Sequence, residues 1–230
     1  MDFGRYLRIL RSSHVWLLAP TWIALNAVLG SWATQSVFQL VREPPAQFHD
    51  QLLMQGFSPT SVSIGFGAAG LIFIAGLWYW GNRFRSIRRT TIIAIGLAGA
   101  LVMLAAALAL NHAEAWPLAV QVALGGIAAV GLFVMAGATP AALGLLADMS
   151  EAHPADRGVI MGLYSVFLGV GQIIGALASG VAGDWAGIDG LLYASVVLII
   201  VAILPVHRLR ASEHLVGTRS ERHGVPAPTQ

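Results

Sequence analysis

The chain has 230 residues, of which 57% are hydrophobic and 10% charged, with no cysteine and a formal net charge of +2. An ordinary soluble domain is about 45–50% apolar and about 25% charged, so this composition excludes a water-soluble globule and describes a membrane protein. Lack of cysteine rules out disulfides, thiolate nucleophiles and sulfur-ligated metals, and a small net charge with short arginine clusters is no nucleic-acid footprint.

Residues 1–14 form a basic flank, Met1 to Ser13 alternating Arg with Tyr and Leu, which suits either a short helix at the headgroups or a plain positive-inside flank. Apolar stretches then follow at about 15–41, 61–81, 90–110, 116–147, 158–183 and 188–206. A crossing takes about 20 residues, so each is long enough to span. The fourth is overlong and contains Pro140, which predicts one tilted or kinked helix. Residues 207–230 form the tail; from about Ala211 it is polar, lacks aromatic residues and ends Gly-Val-Pro-Ala-Pro-Thr-Gln, and it is expected to be disordered.

Orientation follows from arginine, because basic loops stay in the cytoplasm. All 13 basic residues are Arg; twelve fall before the first stretch, between the second and third, before the fifth or after the sixth, and only Arg42 falls on the other side. Both termini are therefore expected in the cytoplasm. The first apolar run is too long for a signal-peptide core.

Helices associate in lipid through small residues and isolated amides or hydroxyls. The fifth stretch carries such a face in steps of three and four: Gly158, Gly162, Ser165, Gly169, Gln172, Ala176, Ser179 and Gly183. It predicts a close-packed interface, either with a partner or with a neighbour in the same bundle. The first stretch sets Trp22, Asn26, Gly30 and Ala33 on one face, and a mid-membrane amide such as Asn26 needs a partner, water or ligand. The fourth adds Gln121, Gly125, Gly126, Gly137, Thr139 and Pro140; a Gly and Pro interruption frees carbonyls that face protein or a watery cavity. Trp22, Asn26, Gln121, Thr139 and Pro140 are the candidate cavity residues. The third stretch and the sixth are nearly all Ala, Leu, Ile, Val and Met and read as lipid-facing. Mixed, Gly-rich and bland helices thus occur twice in that order. The fold class is all-α, six transmembrane helices as two inverted three-helix repeats.

The stretch Thr139-Pro140-Ala141-Ala142-Leu143-Gly144-Leu145-Leu146-Ala147-Asp148, then Asp156-Arg157-Gly158, the Gly-rich fifth stretch and Gly180-Val181-Ala182-Gly183-Asp184 resembles the tenth and eleventh helices of the major facilitator superfamily. Over about residues 5–210 the chain is similar to the carboxyl-terminal half of such a transporter. The family's signature Gly-x-x-x-Asp-x-x-Gly-Arg-Arg is present in degraded form as Gly81 and Arg88-Arg89, with Arg85 where it carries Asp. The resemblance implies that helices one and four line the central cavity, two and five meet the other half, and three and six face lipid. It also implies a partner for the fifth-helix stripe, a second six-helix half.

Asp148 lies at a helix C-terminus and Arg157 near an N-terminus, each opposed by the local dipole. Pairing with each other, or with Arg85, Arg88 or Arg89, would relieve both and form a cytoplasmic gate or brace; a solvated loop is the alternative.

No ionisable residue lies near the middle of any stretch, so the segment offers no proton relay of its own. His14, His112, His153 and His207 sit at stretch ends and form no metal-binding pair. Nucleotide, haem and serine-protease motifs are missing, so neither catalysis nor a cofactor is expected. The expected activity is alternating-access movement of a small solute, with export of small organic compounds suggested by the apolar cavity face. The chain would act as a homodimer, with a separately encoded half, or as part of a longer carrier. The flank Arg5-Tyr-Leu-Arg-Ile-Leu-Arg resembles the end of an inter-half linker and favours the last. A non-transporting membrane scaffold that binds through the small-residue stripe is the alternative of a different class.

Overall fold

A computed structural model describes residues 15–43, 45–83, 86–151 and 154–220. The basic flank 1–14, Arg85, His153 and the last ten residues lie outside the described residues. The described chain is helical with short 3-10 turns. Helix α1 runs Val15–Val41 and includes one π-helical turn, Trp32–Ser36. Helix α2 is Pro59–Gly81, α3 is Arg89–Asn111, α4 is Leu118–Met135, α5 is Ala138–Glu151 and α6 is Arg157–Ser220.

The helix boundaries have local causes. Ser58 caps α2, its hydroxyl accepting from Ser61 N at 3.1 Å, and Pro59 occupies the first position, where no donor is lost. The break between α4 and α5 at Ala136 and Gly137 sits four residues before Pro140. Proline supplies no N–H to the carbonyl of residue i−4 and its ring crowds that carbonyl, which here belongs to Ala136. Pro140 itself fits the first turn of α5. The expected kink is therefore present, displaced one turn ahead of the proline.

Among the described residues, five helical stretches are long and apolar enough to cross a bilayer. The fifth covers Pro154–Arg210, and 57 residues would extend about 85 Å if straight, far beyond a core of about 30 Å. It does not run straight. Ala186 (φ −137°) and Gly187 (φ +61°, ψ −136°) leave helical geometry, and the expected fifth and sixth helices are the two arms, 157–185 and 188–220. Along α1, contacts with the first arm advance together: Ile23 with Gly171, Ala27 with Gly175, Gln35 with Gly180, Gln39 with Gly183. Contacts with the second arm run the other way, Thr21 with Ala202 and Trp32 with Ser195. The two arms are antiparallel, and α1 packs on both.

Gly187 is required at the break. Its φ belongs to the left-handed region that L side chains avoid, and the Gln51 Oε1 atom would lie 2.8 Å from an added Cβ. Gln51, itself buried, donates to Ala186 O at 2.9 Å and accepts from Ile188 N at 2.9 Å, which replaces the helical bonds the break forfeits.

Two expectations are corrected. The bland third and sixth helices are not simply lipid-facing: α3 buries Ile92, Ile93, Leu97, Ala100 and Leu104, and the second arm buries Leu191, Leu192, Ile199, Ala202 and Val206. Each keeps an exposed face as well, Val102 on α3 and Val197 and Leu204 on the arm. Side chains such as Leu and Ala pack equally well against lipid or protein, so composition alone does not assign the face. It is α2 and α4 that are the least covered. Second, the helix continues to Ser220 where a disordered tail was expected from Ala211; Ala211 to Val216 contain no Gly or Pro to stop a helix already under way.

Candidate functional site

Small residues set the closest helix contacts. On the first arm, Gly171, Gly175 and Ser179 recur every four residues against α1. A Cβ at Gly171 would lie 2.5 Å from Ile23 O, and one at Gly175 would collide with the Ala27 carbonyl. Ser31 Oγ donates across the contact to Gly175 O at 3.0 Å, and the buried Ser179 hydroxyl bonds Gly175 O at 2.6 Å. From the α1 side, Gly30 brings its backbone against Gln172 Cα, 2.7 Å from where a Cβ would stand.

The predicted stripe is split by this arrangement. Gly158, Gly162 and Gly169 have no heavy atom within 4 Å of a Cβ position, and Ser165 and the Gln172 side chain are exposed. Ser179 instead lies in the α1 contact. Steps mixing three and four drift around the helix, so the stripe's far end turns inward while its first half stays open.

The five predicted cavity residues do not share one space. Trp22 is buried, its ring 5.0 Å from that of Tyr164, and its Nε1 has no partner among the described residues. Asn26 is buried against Gly171 and spends its amide on Trp22 O at 2.8 Å. Gln121 donates to the α3–α4 connection, to Ala113 O at 2.9 Å. Thr139 and Pro140 are half-buried in the first turn of α5. A cavity of about 690 Å³ lies between α2 and the rest of the bundle and is lined by Val28, Trp32, Phe66, Phe73, Met103 and Leu132 among others.

At the end of the bundle carrying the α2–α3 connection, Arg89 bonds both the Asp148 carboxylate and Gly144 O. Among the described residues proposed as partners for Asp148, Arg89 makes this pair, and Arg85 lies outside the described residues. Arg88 is the exposed residue before α3, and Arg157 the exposed first residue of α6. Gly144 admits the guanidinium: a Cβ there would stand 3.0 Å from Arg89 Cζ.

Sequence reasoning missed a polar cluster at the opposite end. Asp189, just after the α6 break, accepts from Asn111 Nδ2 at 2.8 Å and lies 2.7 Å from His112 Nε2. His112 Nδ1 is 3.4 Å from Asp50 of the α1–α2 connection, and Asn111 Oδ1 accepts from Leu53 N at 2.9 Å. With Gln51, these groups tie three connections together. The available signal was Asp189 interrupting an apolar run two residues after Gly187. The two carboxylates approach different nitrogens of His112, and no metal-holding group of three or more occurs among the described residues.

Long apolar helices, close glycine contacts and polar clusters confined to the two ends define a multi-pass membrane protein. The chain belongs to the Major Facilitator Superfamily, whose family model matches residues 15–230. Members of that family are transporters rather than enzymes, and this chain is a transporter of the major facilitator type, acting on small solutes from within a lipid bilayer. No curated protein and no solved structure matches it.

Proposed function

We propose that the chain is one six-helix half of a carrier that moves a small solute by alternating access, both termini in the cytoplasm. The observation that carries this reading is the uncovered small-residue face of α6. Gly158, Gly162 and Gly169 have open space where a Cβ would stand, although Gly171 and Gly175 of the same helix are in tight contact. In lipid such a face gains free energy only by close approach of another helix. A second six-helix half, from another copy, a separate chain or the remainder of a longer carrier, fits it.

The orientation rests on the arginines: those described other than Arg42 lie at the end that carries Asp148, and basic connections remain cytoplasmic. Arg89 and Asp148 then act as a cytoplasmic brace between α3 and α5 that must yield when the cavity opens on that side. Among the proposed cavity residues, Trp22 retains an unused buried donor, a group a solute passing between α1 and α5 would satisfy. Export of small organic compounds is the direction we assign.

The test is the oligomeric state of the purified chain in nanodiscs, wild type against Gly169→Leu, followed by uptake into vesicles. A wild-type dimer dispersed by the substitution, with solute movement by the dimer, supports the reading. A dimer unaffected by Gly169→Leu, or association without movement of any solute when the other half is supplied, favours a scaffold and overturns it.

A further inference from the structure

Helix α2 is held at both ends and stands open between them. Near its C-terminus, Gly76 lies so close to α4 that a Cβ would stand 2.5 Å from Phe133 O; Trp80 donates its Nε1 to the same carbonyl at 3.2 Å, and its ring covers Gly137. Before Pro59, Phe57 N donates to Leu40 O at 2.9 Å, and Val62 is buried, but between the two ends Gly65 and Gly70 meet nothing within 4 Å although both line the 690 Å³ cavity. The result is a wedge with its closed end near Phe73 and Leu132. Its walls are hydrocarbon and aromatic apart from the Ser61 hydroxyl and the Trp32 indole, whose N–H is already given to Ser195 at 3.0 Å. A polar solute would lose its hydration there without replacement.

At the mouth, a second cavity of about 640 Å³ shares Val62 and Phe66 with the wedge. Among the described residues, Arg42 is the one charged side chain lining it. The guanidinium sits 5.4 Å from the centre of the Phe38 ring, and its Nε is buried with no hydrogen-bond partner. A buried donor of this kind is costly unless something accepts from it, and a guanidinium matches the planar fork of a carboxylate.

We propose that the wedge and its mouth form a binding site for a single-chain anionic amphiphile of the fatty-acid class, the chain lying between α2 and α1/α4 and the carboxylate on Arg42. Size agrees, since sites of about 300–1,000 Å³ hold drug-sized molecules. Neither a metal nor a second protein is needed, and binding requires no transport cycle, so it stands whether or not the chain works as half of a carrier.

Dansyl-undecanoic acid and its methyl ester serve as probes, titrated into the full chain in phosphatidylcholine nanodiscs and followed by energy transfer from tryptophan. The acid is expected to bind the wild type more tightly than the ester. Arg42→Gln should weaken the acid by about tenfold or more, the loss of a charged hydrogen bond of about 1.5–3 kcal/mol, and leave the ester unchanged. Gly65→Phe and, separately, Gly70→Phe should weaken both probes, because a ring would fill space that is now empty; the two positions guard against one variant failing to fold. Equal binding of acid and ester by wild type and Arg42→Gln overturns the assignment of the head, and so does displacement of the acid by phosphatidylglycerol as effective as by decanoate. Unchanged binding in folded Gly65→Phe and Gly70→Phe overturns the assignment of the chain.

Discussion

Replacing Gly175 by alanine adds one methyl group at the tightest point of the α1–α6 contact. The new Cβ would overlap the Ala27 carbonyl, which shares the single Ser31 hydroxyl proton with Gly175 O, so it cannot shift without disturbing that bond. Forcing a methyl group into a packed contact costs about 1–3 kcal/mol. Separation of the helices would also stretch the Ser31 to Gly175 bond of 3.0 Å, worth about 0.6 kcal/mol on average in membrane helices and up to roughly 1.7. A total loss of about 2–4 kcal/mol follows. The matched control is Gly169→Ala, where no atom lies within 4 Å of the added group; there the better helix propensity of alanine, about 0.8–1.0 kcal/mol in a peptide, leaves the isolated chain unchanged or more stable. Equilibrium unfolding of both variants in one detergent, over a mixed-micelle series in sodium dodecyl sulfate, gives the two values. Equal effects, or a larger loss at Gly169, would refute the division of the stripe into a buried and an open part.

Gln51→Ala removes both side-chain bonds that cover the α6 break; we expect a loss of about 2 kcal/mol or more and faster amide exchange at Ile188, and exchange equal to wild type would count against the tie. For Arg89 and Asp148, a double-mutant cycle with Arg89→Gln and Asp148→Asn should give a coupling of only about 0.3–1 kcal/mol, since both groups are partly exposed, while Arg89→Gln alone costs more because Gly144 O also loses its donor. A coupling near zero would exclude a brace. Thr21→Val deletes the buried bond from Thr21 Oγ1 to Ala202 O, 3.0 Å long, and should cost about 0.6–1.7 kcal/mol in the same unfolding assay; a stabilised variant would show that α1 does not depend on this bond to hold the second arm.

Much of the architecture is legible along the chain because it depends on sums over short windows. The apolar run at 15–41 falls within a helix that ends at Val41, since the free energy of burying a segment is nearly additive along it. Pro140 forecasts an interruption for the same local reason, a missing N–H and a crowded carbonyl, and the arginine clusters mark one end of the bundle. Asp148 was legible as a helix-end charge in want of a cation. Whether Arg88 or Arg89 answers it was not, because the two are neighbours in sequence, and the seat beside Gly144 is what brings Arg89 to it.

The residues that needed the tertiary structure owe their roles to neighbours far away in sequence. Gln51 and Asp189 are 138 positions apart, yet both serve the turn at Gly187, and no periodicity relates them. Gly171 and Gly175 look no different from Gly158 and Gly162 as letters; they are buried because Ile23 and Ala27 present carbonyls at matching heights on α1. The sequence by itself determined that the chain belongs in lipid, where its helices begin and bend, and which end is basic, since each of these is a property of a segment and its solvent. Which glycine face closes, which amide is spent on its own helix and where an empty wedge remains were decided only by tertiary structure, because contact distance between two helices depends on the rotation and height of both.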